Sequence, residues 1–462
     1  MRKWFLLIMT VLVATALVAC DGGEQGGEGE EFPEQITIWA DNTYWGGANE
    51  ELVVEMVSAY EEETGIKVIY EALPSLRDRI NGSFLGGEAP DVIIWDRWET
   101  PSYVREQKLV NLKQYIEADE IDLSDYQEVA LAEMTYEGGI YGLPLDIDAW
   151  GYWVNKTMVN EANDRLRAAG KPEVKVLPTT WDELRDTAIA TTQFDSSGKM
   201  TVAGLNVNTP GAFFSYMQTA GGKLLATNDK GQVVANFNNE YGHAVIKYWF
   251  ELIHEHKVYD AGISSTVGGA DDPFIAQKIA IQSNSLLNGA KFYDMYIGDD
   301  FEYEFIPFPK GPSAEFVGTT GENAGSNGGG LMGGFGLAVP LSSKNQKAGY
   351  NLIKWWLTDT EKVVRWSEIS QLIPAKLSVI EELRTKDIPN VRNVLDVLPD
   401  LKIRPQVDGY PSVETGVFMA VIPTVLFGDA FLKGNPELDD RIYALLASME
   451  RSANDTFRFA EL

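Results

Sequence analysis

Cysteine is all but missing from this chain: among 462 residues there is one, Cys20. An intrachain disulfide and a thiolate metal cluster are therefore excluded. Histidine is nearly as scarce, with His243, His254 and His256 the full set. The last two are two residues apart in a helical stretch, so their rings point about 200° apart, and no third ligand lies near. A metal site and a histidine-based catalytic triad both lack material. Positive charge is short as well: Lys and Arg total 38 against 68 Asp and Glu, a net charge of -30. Such a surface repels phosphate backbones and sets aside nucleic-acid binding as a primary role. Long apolar runs are absent after the N-terminus, so no membrane-spanning segment is expected there. There is no P-loop and no nucleophile elbow. Gly328-x-Gly330-x-x-Gly333 matches the dinucleotide fingerprint in letters only, because no strand precedes it and a strand, not a helix, follows. Asp119, Asp122 and Asp125 lack the glycine and bidentate glutamate spacing of a calcium loop and read as a solvated loop.

What is present is ordinary globular material, 45% hydrophobic and 23% charged, long enough for about two or three domains. The start of the chain is different. Arg2 and Lys3 precede an apolar run from Trp4 to Val18 that is short for a membrane span. It ends in Leu17-Val18-Ala19-Cys20, which resembles a bacterial lipobox: cleavage before Cys20 and lipidation of its thiol are expected. Residues 1–19 then form a lipoprotein signal peptide. Residues 20–35, rich in Gly and Glu, form a flexible, self-repelling linker, and the mature protein is expected to be soluble but tethered.

Beyond the linker, strand and helix signals alternate. Ile36–Ala40 reads as a strand. A helix from Asn49 to about Glu63 follows, with Leu52, Val53, Met56, Val57 and Tyr60 on one stripe, and Gly65 suits its left-handed C′ position. Lys67–Glu71 and Val92–Trp95 are further strands with a helix at Leu76–Leu85 between them, a rhythm that predicts an α/β lobe with a mostly parallel sheet. Later helices are expected at Trp181–Thr192, capped by Thr180 with Glu183 returning, and at Phe213–Ala220, Tyr241–His256 and Asp271–Ala276. Strands are expected at Ala149–Asn155, Ile279–Gln282, Tyr303–Pro307 and Leu337–Val339.

Three clusters combine aromatics with carboxylates. Asp41, Tyr44 and Trp45 follow the first strand. Trp95-Asp96-Arg97-Trp98 closes the third, where open α/β sheets bind ligands. Asp146, Asp148 and Trp150 alternate along an extended segment and share a face. Carboxylates accept bonds from sugar hydroxyls, and flat rings stack on the apolar face of a pyranose. Each cluster taken alone is also compatible with core aromatics and surface ion pairs. Trp45, in a loop beside Gly46-Gly47, is the leading candidate for a stacking ring.

With these residues the chain resembles the extracellular solute-binding proteins of carbohydrate ABC transporters, the broad family that includes maltose-binding protein. The segments that carry the resemblance, in order, are ITIWAD, EEETGIKV, GEAPDVIIWDR, YGLPLDIDAWGYWVNK, TTWDEL, QTAGGKLL, IAQKIAIQSN, IPFPKGP, SKNQKAGYNLIKWW and QLIPA. The resemblance implies an α/β, two-lobed, type II periplasmic-binding-protein-like fold. Each lobe would be a mixed, mostly parallel sheet flanked by helices, with a multi-strand hinge crossing near Leu145, Asn284 and Phe335. Residues 36–144 and 285–334 would build lobe one, and 145–284 and 335–462 lobe two. Asp96-Arg97 match the family's sugar-binding pair. Asp148 matches an acidic ligand-binding position seven residues before Asn155-Lys156, and Asp41 lies near the ligand-contacting loop. The sequence departs from the maltose-binding pattern where Gln282-Ser283-Asn284-Ser285 replace aromatics, and where Pro411–Gly416 contain no Trp, so that Tyr410 substitutes.

The expected ligand-binding set is therefore Asp41, Tyr44, Trp45, Trp95, Asp96, Arg97, Asp148, Trp150, Asn284 and Tyr410. No cofactor, metal or catalytic activity is expected. The expected partners are a mono- or oligosaccharide and the membrane permease of an ABC importer, and the expected state is a monomer held outside the bacterial cell membrane by its lipid. Two other readings stay open: a lipid-anchored glycoside hydrolase using Asp96 and Asp148, and a binding protein for a cationic solute such as a polyamine.

Overall fold

The computed structural model describes residues 32–86, 89–206, 211–260, 262–263, 272–311, 329–386, 388, 390–419, 428–432 and 437–460. Cys20, the signal peptide, most of the linker and the glycine-rich residues before Gly329 lie outside the described residues.

The strand Gln35–Asp41 buries Ile36, Ile38 and Ala40 on alternate positions, the period of two that a half-covered strand requires. The helix Glu50–Thr64 follows and buries Leu52, Val53, Met56, Val57 and Tyr60, the stripe legible in the sequence; Gly65 ends it at φ 74°. The chain returns as Lys67–Leu73, parallel to the first strand. After the helix Leu76–Gly86 it adds Val92–Asp96 on the other side. Phe335–Ala338 and then Leu143–Pro144 complete a five-stranded sheet, each pairing antiparallel.

A second sheet is built on the ten-residue strand Asp146–Asn155. Ile279–Ser285 and Tyr303–Pro307 flank it, both antiparallel. Met332–Gly333 and Ile373–Pro374 pair with its first residues. Met200–Leu205 lies parallel to Ile279–Ser285, and Gln193–Phe194 closes the edge. The sheets are mixed and flanked by helices, as expected. In the second sheet, however, antiparallel pairs predominate, because several distant segments dock on one long strand, a pairing that local rhythm does not report.

Two single residues join the sheets. Leu145 lies between Leu143–Pro144 of the first and Asp146–Asn155 of the second; Gly334 lies between Met332–Gly333 and Phe335–Ala338. The expected lobe boundaries at 285 and 335 do not follow sheet membership, since Tyr303–Pro307 belongs to the second sheet and Phe335–Ala338 to the first. The helix Leu286–Ile297 nonetheless reaches Gly47–Asn49 beyond the first strand.

Local signals elsewhere fare variously. Thr180 accepts the Glu183 N–H at 3.2 Å, while the Glu183 carboxylate accepts the Thr179 N–H at 2.8 Å, one residue earlier than a strict capping box. The helix expected over Tyr241–His256 is α-helical only to Phe250 and continues as a π turn. From Asp272 to Ala276 there are turns instead of a helix. Among the described residues no helix is long and apolar enough to cross a membrane.

Candidate functional site

Strand ends from both sheets surround a cavity of about 730 Å³. The loop after the first strand contributes Asn42, Tyr44 and Asn49, and the end of the third contributes Asp96 and Trp98. Carboxyl ends of parallel strands leave backbone donors and short loops facing outward, which is why ligands collect there. From the second sheet come Asp148, Trp150 and Ser283–Ser285. Arg404 and Glu414 close the floor.

Five expected residues meet at this cavity: Tyr44, Asp96, Asp148, Trp150 and Asn284. The other five do not line it. Asp41 caps the short helix Asn42–Trp45, accepting the N–H of Thr43 at 2.8 Å and of Leu76 at 3.3 Å. Trp45 has no solvent exposure. Its indole meets Phe335 edge-on at 5.1 Å and Trp366 at 5.7 Å, so it is core and not a stacking platform. Trp95 is buried with its ring edge-on to Tyr103 at 4.4 Å, and Tyr410 is buried in the core of the second sheet.

Arg97 is the largest correction. It is fully buried, with Nε donating to the Glu133 carboxylate at 3.1 Å. Its Nη1 donates to the carbonyls of Asp146 and Phe335, and Nη2 to that of Gly333 at 2.8 Å. The guanidinium therefore ties together both joints between the sheets, and a five-donor planar fork suits this as no other side chain does. Gly334, at φ 138°, makes room, since a Cβ there would collide with the guanidinium. Gly334→Ala is accordingly expected to destabilise by more than 1 kcal/mol, combining backbone strain with that clash, as a lowered urea midpoint would report.

Sequence reasoning overlooked Arg404 and Glu414. They form a buried fork, Nε to Oε2 at 2.9 Å and Nη2 to Oε1 at 3.0 Å, and the guanidinium lies 5.2 Å over the Trp98 ring. Ten residues separate the pair with no helical period linking them, so only Trp98, inside its aromatic–carboxylate cluster, carried a signal. The geometry suits a cation–π contact that holds Trp98 in place.

Burial raises Asp96, Asp148 and the neighbouring Asp146 above the usual aspartate range. Burial pushes Asp96 up to about 8, opposed by the Arg404 charge. Burial also raises Asp148 to about 6, offset by bonds from the Leu287 N–H at 2.9 Å and from Ser285. Asp146, under the joint, rises to about 7 through burial although it accepts the Phe335 N–H at 3.0 Å. Tyr44 is lifted to about 12 by burial first and by Asp96 second. Each carboxyl binds its proton more tightly folded than unfolded, so the native state holds extra protons between about pH 4 and pH 8. Ligand-free stability should therefore fall as pH rises across that window; Glu99, Glu133 and Glu251, also raised by burial, act in the same direction, and His243, lowered by burial, opposes it. A melting temperature that climbs from pH 5 to pH 8 would contradict it.

The cavity thus offers carboxyl acceptors, amide and hydroxyl groups from residues 283–285 and part-exposed rings at Tyr44, Trp98 and Trp150. Among the described residues no group of three or more His, Cys, Asp or Glu side chains is placed to hold a metal ion.

Two mixed sheets joined by short crossings, with a polar and aromatic cavity between them, define the class of two-lobed periplasmic-binding-type folds. The chain belongs to the bacterial extracellular solute-binding protein family, whose sequence profile it matches over residues 46–363. It is 26% identical over 183 residues to an osmoprotective compounds-binding protein of Synechocystis sp.; that match spans 39% of this chain and 40% of the relative. Solved structures share the fold. An ABC transporter solute-binding protein of Thermotoga lettingae bound with α-D-tagatose superposes with a TM-score of 0.69 at 20% identity, covering 92% of this chain and 99% of its own. A Thermus thermophilus maltotriose-binding protein bound with maltotriose gives 0.66 at 20% identity, covering 90% and 99%.

Proposed function

We propose that this protein is the substrate-binding lipoprotein of an ABC importer, holding a sugar or short oligosaccharide between its two sheets and delivering it to a membrane permease. The observation that carries this reading is the convergence of Tyr44, Trp98 and Trp150 with Asp96 and Asp148 on one cavity. Rings stack on pyranose faces while carboxyls take hydroxyl hydrogens. Family membership and the sugars named with its structural neighbours support it. Closure of the lobes about Leu145 and Gly334 would enclose the sugar, and the ligand would populate the closed state. The test is a thermal-shift screen of D-tagatose, maltose, maltotriose, mannobiose and mannotriose, with polyamines as the rival arm. Stabilisation by a polyamine and by no sugar would transfer the protein to the cationic-solute reading. Unchanged oligosaccharides after overnight incubation are expected; chromatographic products would instead mark a hydrolase.

Within this reading, Asp96→Ala should weaken sugar binding about two- to tenfold at pH 7, the worth of a neutral hydrogen bond, since burial keeps that carboxyl largely protonated there, with little change in the ligand-free melting temperature. Asp148→Ala should lower both affinity and melting temperature, because Asp148 also receives the Leu287 N–H. Calorimetry that finds unchanged affinity in both would make these carboxyls purely structural. Membrane attachment rests on Leu17–Cys20. Cys20→Ser should leave an uncleaved precursor that takes up no labelled fatty acid; normal labelling would reject it.

A further inference from the structure

The cavity reaches beyond the carboxyls and rings described above, and the helix Leu286–Ile297 measures how far. Asp148 accepts the Leu287 N–H at 2.9 Å, which places that carboxyl at the first turn of the helix. Phe292 and Tyr296, about one turn apart further along the same helix, also line the cavity. At about 1.5 Å of rise per residue, they stand roughly 8 Å and roughly 14 Å along the axis from Leu287. Helical side chains lean back towards the helix start. Even so, a single pyranose held at Asp148 stops short of the Tyr296 ring.

Exposure divides the lining in the same sense. Asp148, Ser283, Asn284, Ser285 and Arg404 are buried and form the floor. Tyr296 is 45% exposed and Met419 41%, and Asn42 and Thr43 are exposed as well; these form the mouth. There the ring centroids of Phe292 and Tyr296 lie 4.5 Å apart, tilted by 42°. Rings one turn apart also steady a helix, but that role does not require them to border a polar cavity. The Tyr296 hydroxyl and the side chains of Asn42 and Thr43 make no hydrogen bond with another described residue, so their donors and acceptors are open to a ligand.

Resting on the sugar-binding reading, we infer that Phe292 and Tyr296 form an outer subsite, and that the ligand is an oligosaccharide with one ring at Asp96 and Asp148 and the next at the cavity mouth. The aromatic pair offers an apolar surface to the C–H face of the outer ring. The Tyr296 hydroxyl, Asn42 and Thr43 exchange hydrogen bonds with its hydroxyls. A monosaccharide occupies the floor alone and leaves this surface unused.

The experiment is calorimetry on two length series: D-glucose, maltose and maltotriose, and D-mannose, mannobiose and mannotriose. In one series the parent should bind the longer chains about tenfold or more tighter than the monosaccharide. Tyr296→Ala should lose about two- to tenfold for the longer chains, the scale of one stacked ring. Phe292→Ala combined with Tyr296→Ala should lose most of the gain that length confers. Both variants should keep parental affinity for the monosaccharide, read by thermal shift at high concentration where calorimetry is too weak. Because Tyr296 is exposed, Tyr296→Ala should move the ligand-free melting temperature by only about a degree or two. Equal losses at every length would overturn the proposal, as would a parent that gains nothing from length. A lower melting temperature with parental affinity for the longer chains would make the pair helix support and overturn it too. Binding of D-tagatose with no member of either series would overturn the outer subsite and leave the sugar-binding reading standing; binding of no sugar would overturn both.

Discussion

Arg97→Met should cost the fold about 3–5 kcal/mol, the penalty for removing one partner of a buried ion pair. The substitution leaves the Glu133 carboxylate enclosed with no cation at 3.1 Å, and it strips a donor from the carbonyls of Gly333, Phe335 and Asp146. Burial already holds Glu133 above the ordinary glutamate range, so loss of the guanidinium should raise it further. Adding Glu133→Gln should recover part of the loss by removing the stranded charge. Arg97→Lys should recover little, because an ammonium cannot reproduce a planar fork that reaches three carbonyls and a carboxylate. Urea unfolding decides the matter. A loss below 1 kcal/mol in Arg97→Met would mean that the joints hold without the clamp. Since Arg97 does not line the cavity, the residual folded protein should bind sugar with parental affinity, which separates this role from the ligand-contacting one the family resemblance implied.

Trp45→Ala should be comparably severe, about 3–5 kcal/mol for emptying a large buried site. The indole bridges Phe335, on the strand that follows Gly334, to Trp366 of the helix Thr360–Ser370, so the vacancy opens where three elements meet. Trp45→Phe, which fills most of the volume, should cost considerably less. Ligand-induced fluorescence should instead reside in Trp98 and Trp150, whose rings border the cavity. A Trp45→Ala protein that melts like the parent but loses its sugar response would restore Trp45 to the site.

The difference between Trp45 and Trp150 shows where sequence reasoning stops. Both sit in aromatic–carboxylate clusters at strand ends. Trp150 lies on a strand, where the period of two places it on the Asp148 side, and it does border the cavity. Trp45 ends a four-residue helix, too short for any period to state which way its side chain points. Neighbouring glycines suggested an open loop, yet the segment folds inward because Phe335 and Trp366, hundreds of residues away, provide an apolar socket. Arg97 and Asp96 teach the same lesson in adjacent positions. The pair is recognisable as a unit, but one side chain faces the cavity and the other runs under the joints.

The sequence by itself determined the alternation of elements through the first three strands, the buried stripe of Glu50–Thr64, the left-handed stop at Gly65 and the gathering of aromatics with carboxylates at strand ends. These depend on periodicity, backbone permissiveness and side-chain chemistry, which are local; the two-lobed class was implied by the family resemblance of the segments. Tertiary structure alone decided that the second sheet is mainly antiparallel and that Leu145 and Gly334 are the joints. It also decided that Arg404 and Glu414 pair beneath Trp98, and which member of each cluster reaches the cavity. Those outcomes turn on contacts between residues far apart in the chain, and a side chain's environment is set by whatever packs against it, which no window of sequence contains.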